Sequence, residues 1–379
     1  MEVLNGIIDL KARRNNNFTF HWKCEATHTV MLAFADDLLL FSHADVSSIR
    51  ILKECLEEFH WLSGLSANTN KSEIFICSKD PALIQDIVDI LGFKVGSLPI
   101  RYLGVPLIST RLSVRDCTIL TEKITRRIKS WKNRWLSFGG RLQLVASILS
   151  SVHLYWASIF ILPKSILKQI DCIKRRFLWN GSSEGKTNAK VAWADICYPK
   201  SEGGLGLKNL QAQNKALICK LLWRILSKDP DSAWSSWVHK TRIKDRCIWT
   251  LKVPDSAPWS WKKIMNLRPV MCAHTSKIIG DGMDTFVWQD HWHPHGPLSR
   301  VCSDRIPSSF GLSEGAKVSR LSRDEHWAWP NPYDREVSSI AANMPHHLPN
   351  AERKDSLKWG PLHISRPCFY PLVGHQRRD

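Results

Sequence analysis

Two adjacent carboxylates, Asp36 and Asp37, stand between short apolar segments in Met31–Ser42, MLAFADDLLLFS. On a rigid, mostly buried support such a pair is costly unless positive charge, usually a divalent cation, lies against it. The same pair also fits a solvated turn, where Asp is common. A second group with chemical potential is basic: Arg126, Arg127, Lys129, Lys132 and Arg134 surround an apolar stripe that includes Ile119, Ile124, Ile128, Trp131 and Trp135. A helix carrying them suits backbone phosphates and a binding that weakens steeply with salt. Its plainer alternative is the solvated face of a core helix. His291, His293 and His295 alternate and could meet a metal in an extended segment, with Asp290 or Cys272 as a fourth ligand, but Pro294 and Gly296 make the segment a loop. Gly185-Lys186-Thr187 ends like a phosphate loop, yet no apolar strand leads into it.

The elements that must position these groups follow from periodicity. Val30, Leu32 and Phe34 share one parity and Leu38–Phe41 is continuously apolar, which predicts a hairpin bending at Ala35–Asp37. Asp45 can cap a helix through Ile49, Leu52, Leu56, Phe59 and Leu62, ended by Gly64, before strand character returns at Glu73–Cys77. Residues 1–27 show little periodicity; Lys11, Arg13 and Arg14 with Asn15–Asn17 read as a loop and Phe18–Trp22 as a short strand. Gly104 and Pro106 let a strand turn sharply within Leu98–Leu107. Leu142–Pro163 has no charged residue over 22 positions, long enough to span a bilayer, but its serines, Gln143, His153 and basic flanks predict a buried helix. Ile166, Ile170, Ile173 and Phe177 define an amphipathic helix ending near Gly181, followed by a polar linker, Gly181–Ala189. Asn209 starts another helix with Leu210, Leu217, Leu221, Leu222 and Ile225 as its core face. Trp223, Trp234 and Trp237 can stack on bases, although Trp at helical spacing is more often packing.

Composition narrows the partners. Lys and Arg number 53 against 35 Asp and Glu, a formal charge of +18, which favours polyanions, nucleic acid first, without choosing RNA over DNA. Eleven cysteines with no CxxC pair suit free thiols in a reducing compartment. With no secretory signal at Met1–Leu10, the expectation is an intracellular protein of nucleus or cytoplasm.

LAFADDLLLF resembles the catalytic signature of reverse transcriptases of non-LTR (LINE-type) retrotransposons, most closely the plant elements whose copies are described as ribonuclease H or reverse-transcriptase-like proteins. The likeness continues through Gly64–Ser72 (GLSANTNKS), LPIRYLGVPL, the W–LSF–GRLQL–YWxSxFxLP–FLW series, Lys190–Leu226 and Gly280–Ser299. It implies RNA-directed DNA polymerase chemistry, with two Mg²⁺ ions stabilising the attacking and leaving oxygens. Asp36 would be the metal-ligating acid, Asp37 its electrostatic companion, and Lys71 the group that reaches the triphosphate or protonates leaving pyrophosphate. Read without the family, Lys71 is an exposed lysine at a strand start.

The resemblance also implies an earlier palm strand with another Asp. Nothing before Asp36 resembles it, since Asp9 in GIIDLKARR lacks the surroundings. Fingers, endonuclease, zinc cluster and ribonuclease H domain have no counterpart either. The expectation is therefore an α+β fragment: a partial palm (1–97), a thumb-like basic helical region (98–180), a helical connection (181–260), a Trp-rich region (261–358) and a divergent, poorly structured tail (359–379). Its expected function is that of an inactive polymerase relic binding RNA and DNA weakly, with no membrane. The alternatives are a non-enzymatic helical adaptor, or a polymerase fragment completed by a second chain that supplies the missing strand.

Overall fold

The computed structural model describes residues 1–108, 110–131, 136–185, 189–302, 312–323, 326–327, 335–345, 348–350 and 352–360. The chain divides into two compact units, residues 1–102 with 230–245, and residues 103–229 with 246–379. Helix accounts for about 47% and strand for about 9%, so the α+β class is correct in that coarse form.

The first unit begins with a correction. Where a loop was expected, Glu2–Arg14 forms a helix, α1, with Leu4, Ile8 and Ala12 buried at four-residue spacing. Lys11, Arg13 and Arg14 fall in its last turn, where cations complement the helix dipole. Phe18–Trp22 is not a strand; Phe18 is buried in the core and meets Phe20 edge-on at 5.1 Å. β1 (Met31–Phe34) and β2 (Asp37–Leu40) form the expected antiparallel hairpin. α2 (Val46–Ser63) is capped as predicted: the Asp45 carboxylate accepts the Ser48 N–H at 2.7 Å, and Gly64 ends the helix at φ 72°. Its Ile51, Leu52, Cys55 and Phe59 pack with Leu4 and Ile8 in one core. β3 is only Glu73–Ile74, shorter than the apolar run suggested, and pairs in parallel with β4 (Lys94–Val95) across α3 (Pro81–Leu91). β5 (Ile100–Tyr102) ends this stretch. Residues 230–245 add the helix Ala233–Val238, whose Trp237 indole N–H donates to the Lys23 carbonyl at 2.6 Å.

The second unit opens on β6 (Val105–Leu107) and is mostly helical: α4 (Thr118–Lys129), α5 (Phe138–Leu144), α6 (Leu154–Ile159), α7 (Lys164–Asn180), α8 (Trp193–Ile196) and α9 (Leu210–Leu226). Leu120, Ile124 and Ile128 of α4 pack with Ile166, Ile170 and Phe177 of α7. Each such fully buried side chain contributes about 1.5–3 kcal/mol. The uncharged stretch Leu142–Pro163 is not one helix. After α5 it passes through a π-helical turn, Val145–Leu149, before α6 begins. Ser150 donates to the Val145 carbonyl through both its N–H (3.1 Å) and its hydroxyl (2.7 Å), and the Ser151 hydroxyl donates to Ile148 O (2.8 Å). Serine hydroxyls thus take carbonyls that a continuous helix would use. Among the described residues, no helix is long and apolar enough to cross a membrane.

Asn214, buried in α9, ties the segment after α6 in place. Its Oδ1 accepts the Leu162 N–H at 2.8 Å, and its Nδ2 donates to Ala157 O and Phe160 O, both at 2.7 Å. Farther along, β7 (Thr275–Ile278) pairs antiparallel with Ser356–Trp359. Trp288 and Trp292 are buried with Val287, Leu298, Val318 and Leu321, so these tryptophans are packing residues. The loop before them is built on Asp355, whose carboxylate accepts the N–H groups of Gly280, Gly282 and Asp284 and the Thr285 hydroxyl, at 2.6–3.0 Å. The expected tail differs at its start, since Trp359 is the last residue of a paired strand; residues 361–379, like Lys186 and Thr187 of the GKT sequence, lie outside the described residues.

Candidate nucleic-acid interface and acidic hairpin

The hairpin carries its acids differently from the sequence expectation. Ala35 and Asp36 form a two-residue turn, and Asp37 is already in β2, opposite Phe34. Ala35 takes φ 52°, the left-handed region that this turn position usually gives to glycine. The support is not mostly buried. Val30 is covered and Met31, Leu38 and Leu40 touch the core, but Leu32 is 45% and Phe34 62% exposed. The cause is the alternation of the strands. The Met31–Leu40 and Ala33–Leu38 pairs share one face, while Leu32–Leu39 and Phe34–Asp37 share the other. Among the described residues, Leu32 and Phe34 on that second face stay exposed.

Both acids are exposed, and neither makes a side-chain hydrogen bond or ion pair among the described residues. No group of three or more His, Cys, Asp or Glu able to hold a metal ion forms among those residues. Asp9 instead pairs with Arg13 at 2.8 Å. Two exposed acids of one hairpin do not make the ligand set that two Mg²⁺ ions need. Lys71 sits in a turn made by Asn68, whose side chain accepts the Asn70 N–H (3.0 Å) and whose carbonyl accepts the N–H groups of Lys71 and Ser72. It is exposed just before β3 and forms no ion pair with Asp36 or Asp37.

The basic residues are brought together only in part. Arg126 and Lys129 of α4 line a cleft of about 650 Å³ whose other wall is α7, with Gln169, Ile173 and Arg176. Arg127 is exposed on α4 outside that lining, and Lys132 and Arg134 lie outside the described residues. Arg176 was missed by sequence reading. Its signal was available in the four- and three-residue spacing of Gln169, Ile173 and Arg176 along α7, the helix strip beside the buried one. Lys129 is paired at 3.0 Å with Glu184, from the loop after α7.

The buried side of α7 is polar too. Lys174, 1% exposed, donates to the Ser150 hydroxyl at 3.3 Å, and burial pushes its ammonium down to about 8. Burial raises the Asp171 carboxyl to about 6. Burial, reinforced by the Lys174 charge, lowers the His153 imidazole to about 4. The alternating histidines have structural roles: His291 Nδ1 meets the Thr275 carbonyl at 3.1 Å, and buried His293 meets Ile340 O through Nε2 at 3.2 Å. Asp290 is likewise engaged, accepting from the Trp249 indole (2.6 Å) and the Phe286 N–H (2.8 Å) and pairing with Lys277 at 3.2 Å.

Sequence comparison yields two relatives, both from Arabidopsis thaliana. Over 211 residues, 54% of this chain, the sequence is 33% identical to a protein named "Putative ribonuclease H protein". That match spans 33% of the relative, so the chain covers about a third of its length. Over 143 residues, 38% of the chain, it is 28% identical to an "Uncharacterized mitochondrial protein", of which 92% is covered. The chain is similar to both. No family model matches it.

Proposed function

We propose that this chain is a piece of a LINE-type retroelement reverse transcriptase that binds nucleic acid weakly and does not polymerise DNA on its own. In this reading the acidic hairpin with α2 belongs to a palm, and α4 to α7 belong to a thumb. The observation that carries it is a contrast between the two units. Arg126, Lys129 and Arg176 converge on one cleft, whereas Asp36 and Asp37 stand exposed without a third metal-holding side chain among the described residues. The name of one relative, "Putative ribonuclease H protein", agrees with a nucleic-acid substrate. Titration of labelled RNA and DNA tests the binding, and no binding at micromolar protein in low salt would reject it. Extension of a DNA primer on an RNA template, with Mg²⁺ or Mn²⁺, is expected to be undetectable. Activity that Asp36→Asn abolishes would overturn the inactive assignment.

A second reading is favoured by the exposed apolar face of the hairpin. A separate polypeptide adding a strand beside β1 or β2 would cover Leu32 and Phe34 and could bring a further acid to Asp36. Copurification of such a chain, with metal-dependent polymerase activity in the pair only, distinguishes this case from a solitary binding protein or a helical adaptor.

A further inference from the structure

We infer that the cleft between α4 and α7 is a phosphodiester-backbone site that reads no bases, and that its own acids compete with the nucleic acid for it. This rests on the proposed nucleic-acid binding and says where it occurs. The α4 wall runs from Thr121 to Lys129, eight residue steps or about 12 Å at the helical rise. One strand of a duplex places a phosphate about every 3.4 Å of axis, so the wall spans about three phosphates. Three cations face that length: Arg126, Lys129 and Arg176. Thr121, Thr125 and Gln169 add neutral groups able to hydrogen-bond phosphate oxygens. No Trp, Tyr or Phe lines the cleft among the described residues, which removes the platform on which single-stranded bases stack. The site therefore takes a backbone in RNA or DNA and does not distinguish sequences.

Two carboxylates oppose it. Glu122 lines the cleft and Glu184 holds Lys129 at 3.0 Å. A phosphate must displace Glu184 to reach Lys129, so the pair is a built-in competitor. Removing it should strengthen binding rather than weaken it.

The full chain is titrated with labelled oligo-dT, oligo-dA and a mixed-sequence duplex by fluorescence anisotropy. Three phosphate contacts give a duplex salt slope of about −2.7, or about a 40-fold loss of affinity between about 50 and 200 mM salt. Arg176→Gln should flatten the slope by about 0.9 and weaken binding about eightfold at about 0.1 M salt. Lys220→Gln, the same charge change on an exposed part of α9, should leave the slope unaltered. Glu184→Gln should tighten binding with the slope held at about −2.7, because Lys129 is already one of the three contacts, and oligo-dT and oligo-dA should bind within about threefold of each other, since no stacking contribution separates them. Binding that persists with Arg176→Gln indistinguishable from Lys220→Gln overturns the cleft while leaving the proposed function intact. Absence of any binding at low salt overturns both. Weaker binding by Glu184→Gln overturns the competitor, a strong preference between the homopolymers overturns backbone reading, and displacement by equimolar inorganic phosphate shows a small-anion site instead.

Discussion

Replacing His153 by Leu should make the second unit more tolerant of acid than the wild-type chain. His153 is fully buried, and the Gln213 side chain beside it offsets only a minor part of the effect of burial. Burial first, and the Lys174 charge second, lower its pKa from 6.5 to about 4. The unfolded chain therefore takes up a proton near pH 6.5 that the folded protein refuses until about 4. Stability that His153 leaves intact above pH 6.5 is lost as the pH falls through that window. At about 1.36 kcal/mol per pH unit, the full interval costs about 3 kcal/mol. Asp171 acts in the opposite sense. Burial raises its carboxyl from 3.8 to about 6, so the folded state binds this proton first and gains stability as the pH falls from about 6 toward 4. The two effects largely offset each other in the wild type, which is why the difference between proteins, not either profile alone, carries the information. Urea unfolding of both proteins from pH 7 to about 4.5 should show the stability difference moving by about 2–3 kcal/mol in favour of His153→Leu. A difference that does not change with pH would refute the assignment of a neutral, unprotonated His153 to the folded state.

Two other substitutions probe the supports of the fold. Asn214→Ala leaves the buried Leu162 N–H and the Ala157 and Phe160 carbonyls without the Asn214 partner each now has. It should cost about 3–5 kcal/mol in urea unfolding, and a loss below about 1 kcal/mol would mean those groups find other partners. Asp355→Ala removes the acceptor of four donors at once. It should destabilise the loop by about 3 kcal/mol or more, and hydrogen exchange at Gly280, Gly282 and Asp284 should accelerate selectively. Unchanged exchange at these three amides would show that the carboxylate does not hold the loop.

Helices with a clear cap and a strong stripe were legible in the sequence. α2 starts at its Asp45 cap and ends at Gly64, α7 ends at Gly181, and α9 follows Asn209, whose side chain accepts the Ala212 N–H at 3.1 Å. α1 was not, because Gly6 and the small Ala12 dilute a stripe of only Leu4 and Ile8, and its packing against α2 supplies what propensity lacks. The uncharged run Leu142–Pro163 misled by hydropathy alone, which does not count hydroxyls that take backbone carbonyls. In α9 the core face includes Asn214, which an apolar pattern passes over because it is polar, although it satisfies three backbone groups. The cleft was half legible. Arg126 and Lys129 stood out as a basic run, but Arg176 joins them only through the packing of α4 on α7.

The acidic hairpin shows where sequence reasoning lacked a physical quantity. The case for a metal at Asp36 and Asp37 began from the cost of holding two carboxylates on a buried support. Exposure removes that cost: hydrated acids require no cation, and the chemistry of the pair depends on whether another surface covers the Leu32–Phe34 face. This makes Phe34→Asp informative. Phe34 is 62% exposed, so its replacement in the chain alone should cost no more than about 1 kcal/mol in urea unfolding, mostly from the two like charges then facing each other across the hairpin. In the presence of a strand-supplying partner the same substitution should abolish association, because a charge would be buried beside Asp37 on the contacted face. A loss above about 2 kcal/mol in the chain alone would mean that Phe34 is packed, and the inference from exposure to an idle acid pair would be wrong.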